Sequence, residues 1–267
     1  MRWLFVILPM VAANLQLRQL ATGRTINSVG ALLFDCDGTI AETERDITLK
    51  QFNAAFKASP EPGLKSVEWS PALYGELLSA GASQARFAQF FKDNPHLWPQ
   101  DCRGDVLKQS KFCDTMKRRK DDAFQLVWER ESISALPGVM QLFDAAHKYG
   151  IPIAVCSNSN TAPVTEICRT LFSPEVFTNL LFFCGDTFPK KPLPDMYLAA
   201  SSYLGTDIAT CIVFEDSEVG CRAGVAAGAR VVACPSYYYG IDEFDGAALL
   251  VNSLEEIVLE EPPFKGK

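Results

Sequence analysis

From Ala31 onward, short apolar runs alternate with amphipathic stretches. Ala31-Leu32-Leu33-Phe34 is apolar at every position and reads as a strand buried on both faces. The runs at 151–156, 180–184, 211–214 and 230–233 read the same way. Helices lie between them: Val139, Leu142, Phe143 and Ala146 keep helical spacing ahead of Gly150, and 195–203 stops similarly at Gly205. This alternation predicts an α/β fold, a doubly wound, Rossmann-like parallel sheet with helices on both faces. Residues 46–134 break the pattern, because no stretch there reads as a strand. Leu49, Phe52 and Phe56 share one helical face, as do Phe87, Phe90 and Phe91, and Phe124, Val127 and Trp128. Pro60, Pro62, Gly63, Pro95 and Pro99 separate these pieces. Residues 47–134 therefore read as an all-helical cap domain, inserted into a core made of 29–46 and 135–267.

The first residues follow another rule. Arg2, Arg18 and Arg24 precede the first acid, Asp35, and an unbroken apolar run extends from Trp3 to Ala13. That run is too short to cross a bilayer, which takes about 20 residues. A basic start, a short apolar run and an acid-free stretch with Thr and Ser resemble a signal peptide followed by a transit peptide. Residues 1–28 are expected to be a targeting extension outside the fold, cleaved on delivery to a chloroplast or other plastid. Another organelle or the secretory route is the alternative destination, and a poorly ordered tail the alternative reading.

Composition narrows the function classes. With 48% hydrophobic and 21% charged residues in 267, the chain is neither disordered nor collagen-like. A net charge of −7 argues against non-specific binding to nucleic acid or anionic lipid. The 9 cysteines include no C-x-x-C pair and there are only 2 histidines, so a zinc site is not indicated and the thiols read as reduced and buried. No pattern points to an oligomer or to a membrane-bound mature form, and a monomer is expected.

The chemistry sits at strand ends. Asp35 and Asp37, two apart in an extended segment, point the same way just past the first strand, where open parallel sheets bind ligands. Two adjacent carboxylates call for a cation, and oxygen-only ligation suits Mg²⁺. Ser157 and Asn158 end the second strand and offer a hydroxyl and an amide to phosphate oxygens. Lys191 is presented by a loop stiffened by Pro192 and Pro194. Glu215 and Asp216 end a further buried strand, where acids are costly without a cation or hydrogen bonds. Taken singly, these features also fit a turn, a helix cap or an exposed basic loop.

The order Asp35-Cys36-Asp37-Gly38-Thr39, Ser157-Asn158, Lys191-Pro192-Leu193-Pro194-Asp195 and Glu215-Asp216-Ser217 resembles the haloacid dehalogenase superfamily of aspartate-dependent phosphohydrolases. The resemblance covers the chain after about Ser28. It implies Asp35 as nucleophile, Asp37 as general acid/base and a Mg²⁺ site of Asp35, the Asp37 carbonyl and Asp216, with Glu215 beside them. Within the superfamily the chain is similar to CbbY-like proteins, phosphatases of xylulose-1,5-bisphosphate, through Glu42-Thr43-Glu44, Phe52-Asn53, Leu73-Tyr74-Gly75-Glu76 and Ser236-Tyr237-Tyr238. That likeness implies a sugar-phosphate substrate met by Glu44, with Arg86, Arg118 and Lys120 offering cations to the far phosphate. Gln84 and Leu136 stand where the family usually has a lysine and an arginine, so weaker bisphosphate discrimination is expected. A sugar phosphomutase of the β-phosphoglucomutase kind is the alternative, although such mutases carry a histidine at a position that falls near Ile47 here, and both histidines of this chain lie elsewhere. A non-catalytic sugar-phosphate-binding protein is another alternative, and it should have lost one of Asp35, Asp37, Lys191 or Asp216.

Overall fold

The computed structural model describes residues 15–130, 132–240 and 244–262. They divide into two compact units: a core running to Glu42 and resuming at Ser134, and a cap of Thr43–Ile133. The first boundary falls four residues before the expected one, because a π-helical turn, Glu44–Thr48, already leads into the first cap helix.

The strands are β1 (Gln16–Gln19), β2 (Thr25–Asn27), β3 (Ala31–Phe34), β4 (Ile153–Ser157), β5 (Leu181–Cys184), β6 (Cys211–Glu215), β7 (Arg230–Ala233), β8 (Leu249–Leu250) and β9 (Ile257–Glu260). In the cap are α1 (Leu49–Lys57), α2 (Pro71–Leu78), α3 (Ser83–Asp93), α4 (Val106–Asp122) and α5 (Phe124–Trp128). The core adds α6 (Val139–Tyr149), α7 (Thr161–Leu171), α8 (Pro174–Thr178), α9 (Asp195–Leu204) and α10 (Glu218–Ala227).

Six strands form a parallel sheet in the order β5-β4-β3-β6-β7-β8. The chain steps from β3 to β4 and β5 on one side, then returns to β6 on the other, so the order reverses beside β3. The crevice at such a reversal, outside the carboxyl ends of the strands, is where this architecture places ligands. Helices cover both faces. Ala31 and Leu33 pack into one apolar cluster with Met196, Tyr197 and Ala200 of α9 and Cys221 and Ala223 of α10. Phe34 faces the other way, 4.8 Å from the ring of Phe143 on α6 and 4.4 Å from Phe214 on β6. Each such buried aromatic or aliphatic side chain stabilises the fold by roughly 1.5–3 kcal/mol, which is why β3 carries no polar residue.

The N-terminal expectation needs correction. Residues 15–28 do not lie outside the fold: β1 pairs antiparallel with β2 and with β9 in a separate three-stranded sheet. Leu15, Leu17 and Ile26 are buried, and Arg18 forms a fork with Glu260 at 2.6 and 3.1 Å. The targeting reading of residues 1–14 falls outside the described residues. Leu17→Ala should lower stability by about 2–5 kcal/mol in urea unfolding; a change below about 0.5 kcal/mol would show that β1 carries no structural weight.

The cap is built on aromatic rings. Phe52 and Phe56 of α1, Trp69, Tyr74 of α2, and Phe87, Phe90 and Phe91 of α3 are all buried against one another. Asn53 fixes the incoming chain by accepting from Trp69 N at 2.7 Å and donating to Trp69 O at 3.1 Å. All nine cysteines are free thiols, and all but Cys234 are buried. Among the described residues no helix is long and apolar enough to cross a membrane.

Candidate active site

The core brings four charged side chains together at the strand ends. Asp35 follows β3, Glu215 ends β6, Asp216 follows it, and Lys191 comes from the loop after β5; all four are buried. Lys191 Nζ donates to Asp35 Oδ1 at 2.5 Å and to Glu215 Oε1 at 2.6 Å. Asp35, Glu215 and Asp216 each offer an oxygen within 4.8 Å of the others. Close approach is possible because two glycines stand beside the acids. At Gly38, with φ +92°, an added Cβ would lie 2.2 Å from Asp216 Oδ2. At Gly220 in α10 it would lie 2.0 Å from the Glu215 carboxylate.

The electrostatics follow from that crowding. Burial pushes the Asp35 carboxyl well above the usual carboxylate range; Lys191 pulls it back, and Glu215 and Asp37 push it further up. Burial also pushes Asp216 well up, with Asp35 and Glu215 adding to the effect. Burial works against a charged Lys191, but the carboxylates of Asp35 and Glu215 outweigh it, so the ammonium is held well above its ordinary pKa. Three buried acids around one lysine form a set of hard oxygen donors that carry negative charge in excess once deprotonated, which fits a divalent cation.

Several candidates take more specific places than the sequence suggested. Asp37 is not part of that triad; its Oδ2 accepts from Ser157 Oγ at 3.1 Å and from Ser159 Oγ at 2.7 Å. Asn158 uses its amide on the lysine loop, accepting from Lys191 N at 2.8 Å and donating to Lys191 O at 3.4 Å. Glu215 Oε1 accepts from Tyr197 as well as Lys191, and Oε2 accepts from Ser217 Oγ at 3.2 Å, so both oxygens already carry donors. Ser159 and Tyr197 were not anticipated. Ser159 lies two residues beyond Ser157, a spacing that could have flagged it, whereas Tyr197 falls on the buried face of a helix and gives no local cue.

The cap holds a second polar cluster. Glu44 accepts from the phenol of Tyr74, which in turn accepts from Arg86 Nη1; Arg86 Nη1 is also 3.4 Å from Glu44 Oε2. Lys120 belongs to the same surroundings. Its ammonium lies 5.7 Å from the centre of the Phe52 ring, and burial lowers its pKa while Asp121 and Glu44 pull it back up. Arg118 does not join them: it is exposed and donates to Thr115 Oγ1 at 3.0 Å. Two positions on a helix amount to about 200° of rotation, which puts residues 118 and 120 on opposite faces.

Known proteins share the sequence pattern and the fold. The family model for haloacid dehalogenase-like hydrolases matches residues 29–228. A CBBY-like protein of Arabidopsis thaliana is 37% identical over 218 residues, covering 81% of this chain and 66% of that relative. CbbY of Rhodobacter capsulatus is 32% identical, covering 87% of this chain and 97% of its own. The crystal structure of a CbbY variant from Rhodobacter sphaeroides in complex with xylulose-1,5-bisphosphate has a TM-score of 0.69 at 29% identity, covering 85% of this chain and 96% of that one. The chain belongs to the haloacid dehalogenase-like hydrolases and, among their phosphatases, to the CbbY-like proteins.

Proposed function

We propose that the chain is a Mg²⁺-dependent phosphatase that removes the C1 phosphate of xylulose-1,5-bisphosphate through an aspartyl-phosphate. The observation that carries this reading is the buried contact of Asp35 with Lys191, set among Glu215 and Asp216 at the sheet's reversal point. The substrate follows from the CbbY likeness, since a CbbY of this fold has been crystallised with that sugar bisphosphate.

In this reading Asp35 attacks phosphorus as the bond to the sugar oxygen breaks. Asp37, held in place by the hydroxyls of Ser157 and Ser159, gives its proton to the leaving oxygen. The resulting carboxylate then takes a proton from the water that attacks the phosphorylated Asp35, releasing inorganic phosphate and restoring both acids. Lys191 offsets negative charge on Asp35 and the phosphoryl oxygens. Asn158 keeps that lysine in place by pairing with its backbone. A divalent cation on Asp35, Asp216 and the Asp37 carbonyl, with Glu215 beside it, would supply further neutralisation between nucleophile and phosphate. In the cap, Glu44 would accept from sugar hydroxyls, and Arg86 and Lys120 would meet the far phosphate.

A phosphate-release screen over sugar mono- and bisphosphates with Mg²⁺ tests the substrate. Xylulose-1,5-bisphosphate should give the highest kcat/KM; a clear preference for hexose monophosphates would point to a general sugar phosphatase. Lys120→Ala should raise KM for the bisphosphate roughly tenfold to a hundredfold, as expected for one lost charge-assisted contact. It should do far less to a small monophosphate, and equal losses on both would assign Lys120 to the structure of the cap.

A further inference from the structure

We propose that Tyr74 is a positioning residue that divides the Glu44 carboxylate, committing one oxygen to the protein and leaving the other as the acceptor for a ligand hydroxyl. The inference rests on the reading of Glu44 as the sugar contact. Among the described residues, every hydrogen bond of the Glu44 side chain ends on Oε2, where the Tyr74 phenol and Arg86 Nη1 both arrive. A phenol donates and accepts at once, and here it donates to Glu44 while accepting from Arg86.

The surroundings hold that phenol in place. Tyr74 is fully buried, edge-on to Phe52 at 5.7 Å, and the Arg86 guanidinium lies 5.3 Å over its ring. Arg86 is anchored at its other end, where Nε donates to Gly81 O at 2.7 Å. An arginine this close to a carboxylate tends to take both oxygens in a parallel fork. That fork would consume the acceptor a sugar needs. The phenol between them occupies Oε2 and holds Arg86 Nη1 on itself, so the fork does not form and Oε1 keeps its direction.

Tyr74→Phe removes one oxygen and lets the fork close. KM for xylulose-1,5-bisphosphate should rise about tenfold with kcat within about twofold. The ratio of kcat/KM for that sugar to kcat/KM for p-nitrophenyl phosphate, which has no hydroxyl to offer, should fall by a similar factor. In a Glu44→Gln background the same Tyr74→Phe change should add less than about twofold, because the two act as a unit. Equal losses on both substrates, or full additivity of the two changes, would assign the phenol to packing and overturn the proposal. A rise in sugar KM in Glu44→Gln with none in Tyr74→Phe overturns the positioning role alone. No rise in Glu44→Gln overturns the reading of Glu44 itself, and the positioning role with it.

Discussion

Asp35→Asn should lower phosphate release by at least about a thousandfold while leaving the protein as stable as before or more so. The two halves of this expectation have one source. Asp35 is the carboxylate in contact with Lys191, and an amide cannot attack phosphorus to form an acyl phosphate. The same carboxylate is crowded by Glu215, Asp37 and Asp216, and burial already pushes it toward its neutral form. Replacing it with a neutral group of the same shape relieves repulsion among buried acids and leaves Lys191 with Glu215 at 2.6 Å. Activity near wild type would rule out the covalent route. Loss of activity together with a collapse in Tm would mean that Asp35 acts as a structural ion-pair partner.

Removing divalent cations with a chelator should abolish activity, Mg²⁺ should restore it, and Ca²⁺ should do so poorly because its coordination is larger and looser. A second readout is independent of turnover. Asp35 and Asp216 have folded pKa values raised first by burial, with Glu215 and Asp37 adding to it at Asp35, and Asp35 and Glu215 at Asp216. Without metal, they favour folding while protonated, and that contribution is lost as pH rises through their folded values. A divalent cation needs the deprotonated form. The rise in Tm on adding Mg²⁺ should therefore be larger at about pH 8 than at about pH 5. Full activity in the chelator, or a Tm gain larger at the lower pH, would remove the metal from this site.

The parallel sheet was legible because its strands are buried on both faces and so read as unbroken apolar runs. Ala31–Phe34 and Arg230–Ala233 fall on the expected residues, and the other central strands differ by one or two at their ends. Five of the six strands, helices on both faces and the helical insert follow from the same periodicities, whereas β8 is only Leu249 and Leu250 and too short to show a pattern. What stayed hidden depends on partners far away in sequence. Gln16-Leu17-Arg18-Gln19 has one aliphatic residue in four, and the strand exists because Arg18 and Leu17 meet Val258 and Leu259. Its lack of acids resembles a transport signal in sequence alone, but in the fold its arginine serves a carboxylate at the other end of the chain. The site residues were legible in part for the same reason. Asp35, Lys191, Glu215 and Asp216 announce themselves at strand ends, whereas Tyr197 and Tyr74 look like ordinary core aromatics until their hydroxyls are located. The basic run 117–120 shows a further limit, since a helix distributes such charges over several faces: Arg118 is exposed while Lys120 lies near the Phe52 ring.

The pairing of β1 with β9 also sets a schedule for biosynthesis. Arg18 and Glu260 are 242 positions apart. At about 5–20 residues per second, a ribosome makes β1 roughly ten to fifty seconds before its partner strand exists. Throughout that interval the start of the chain has no β9 to zip onto, and the three-stranded sheet cannot close. Once closed, the sheet sets a limit on maturation. A cut after Ser28 would strip β1 from β9 and leave Leu259 and Ile257 without their strand partners.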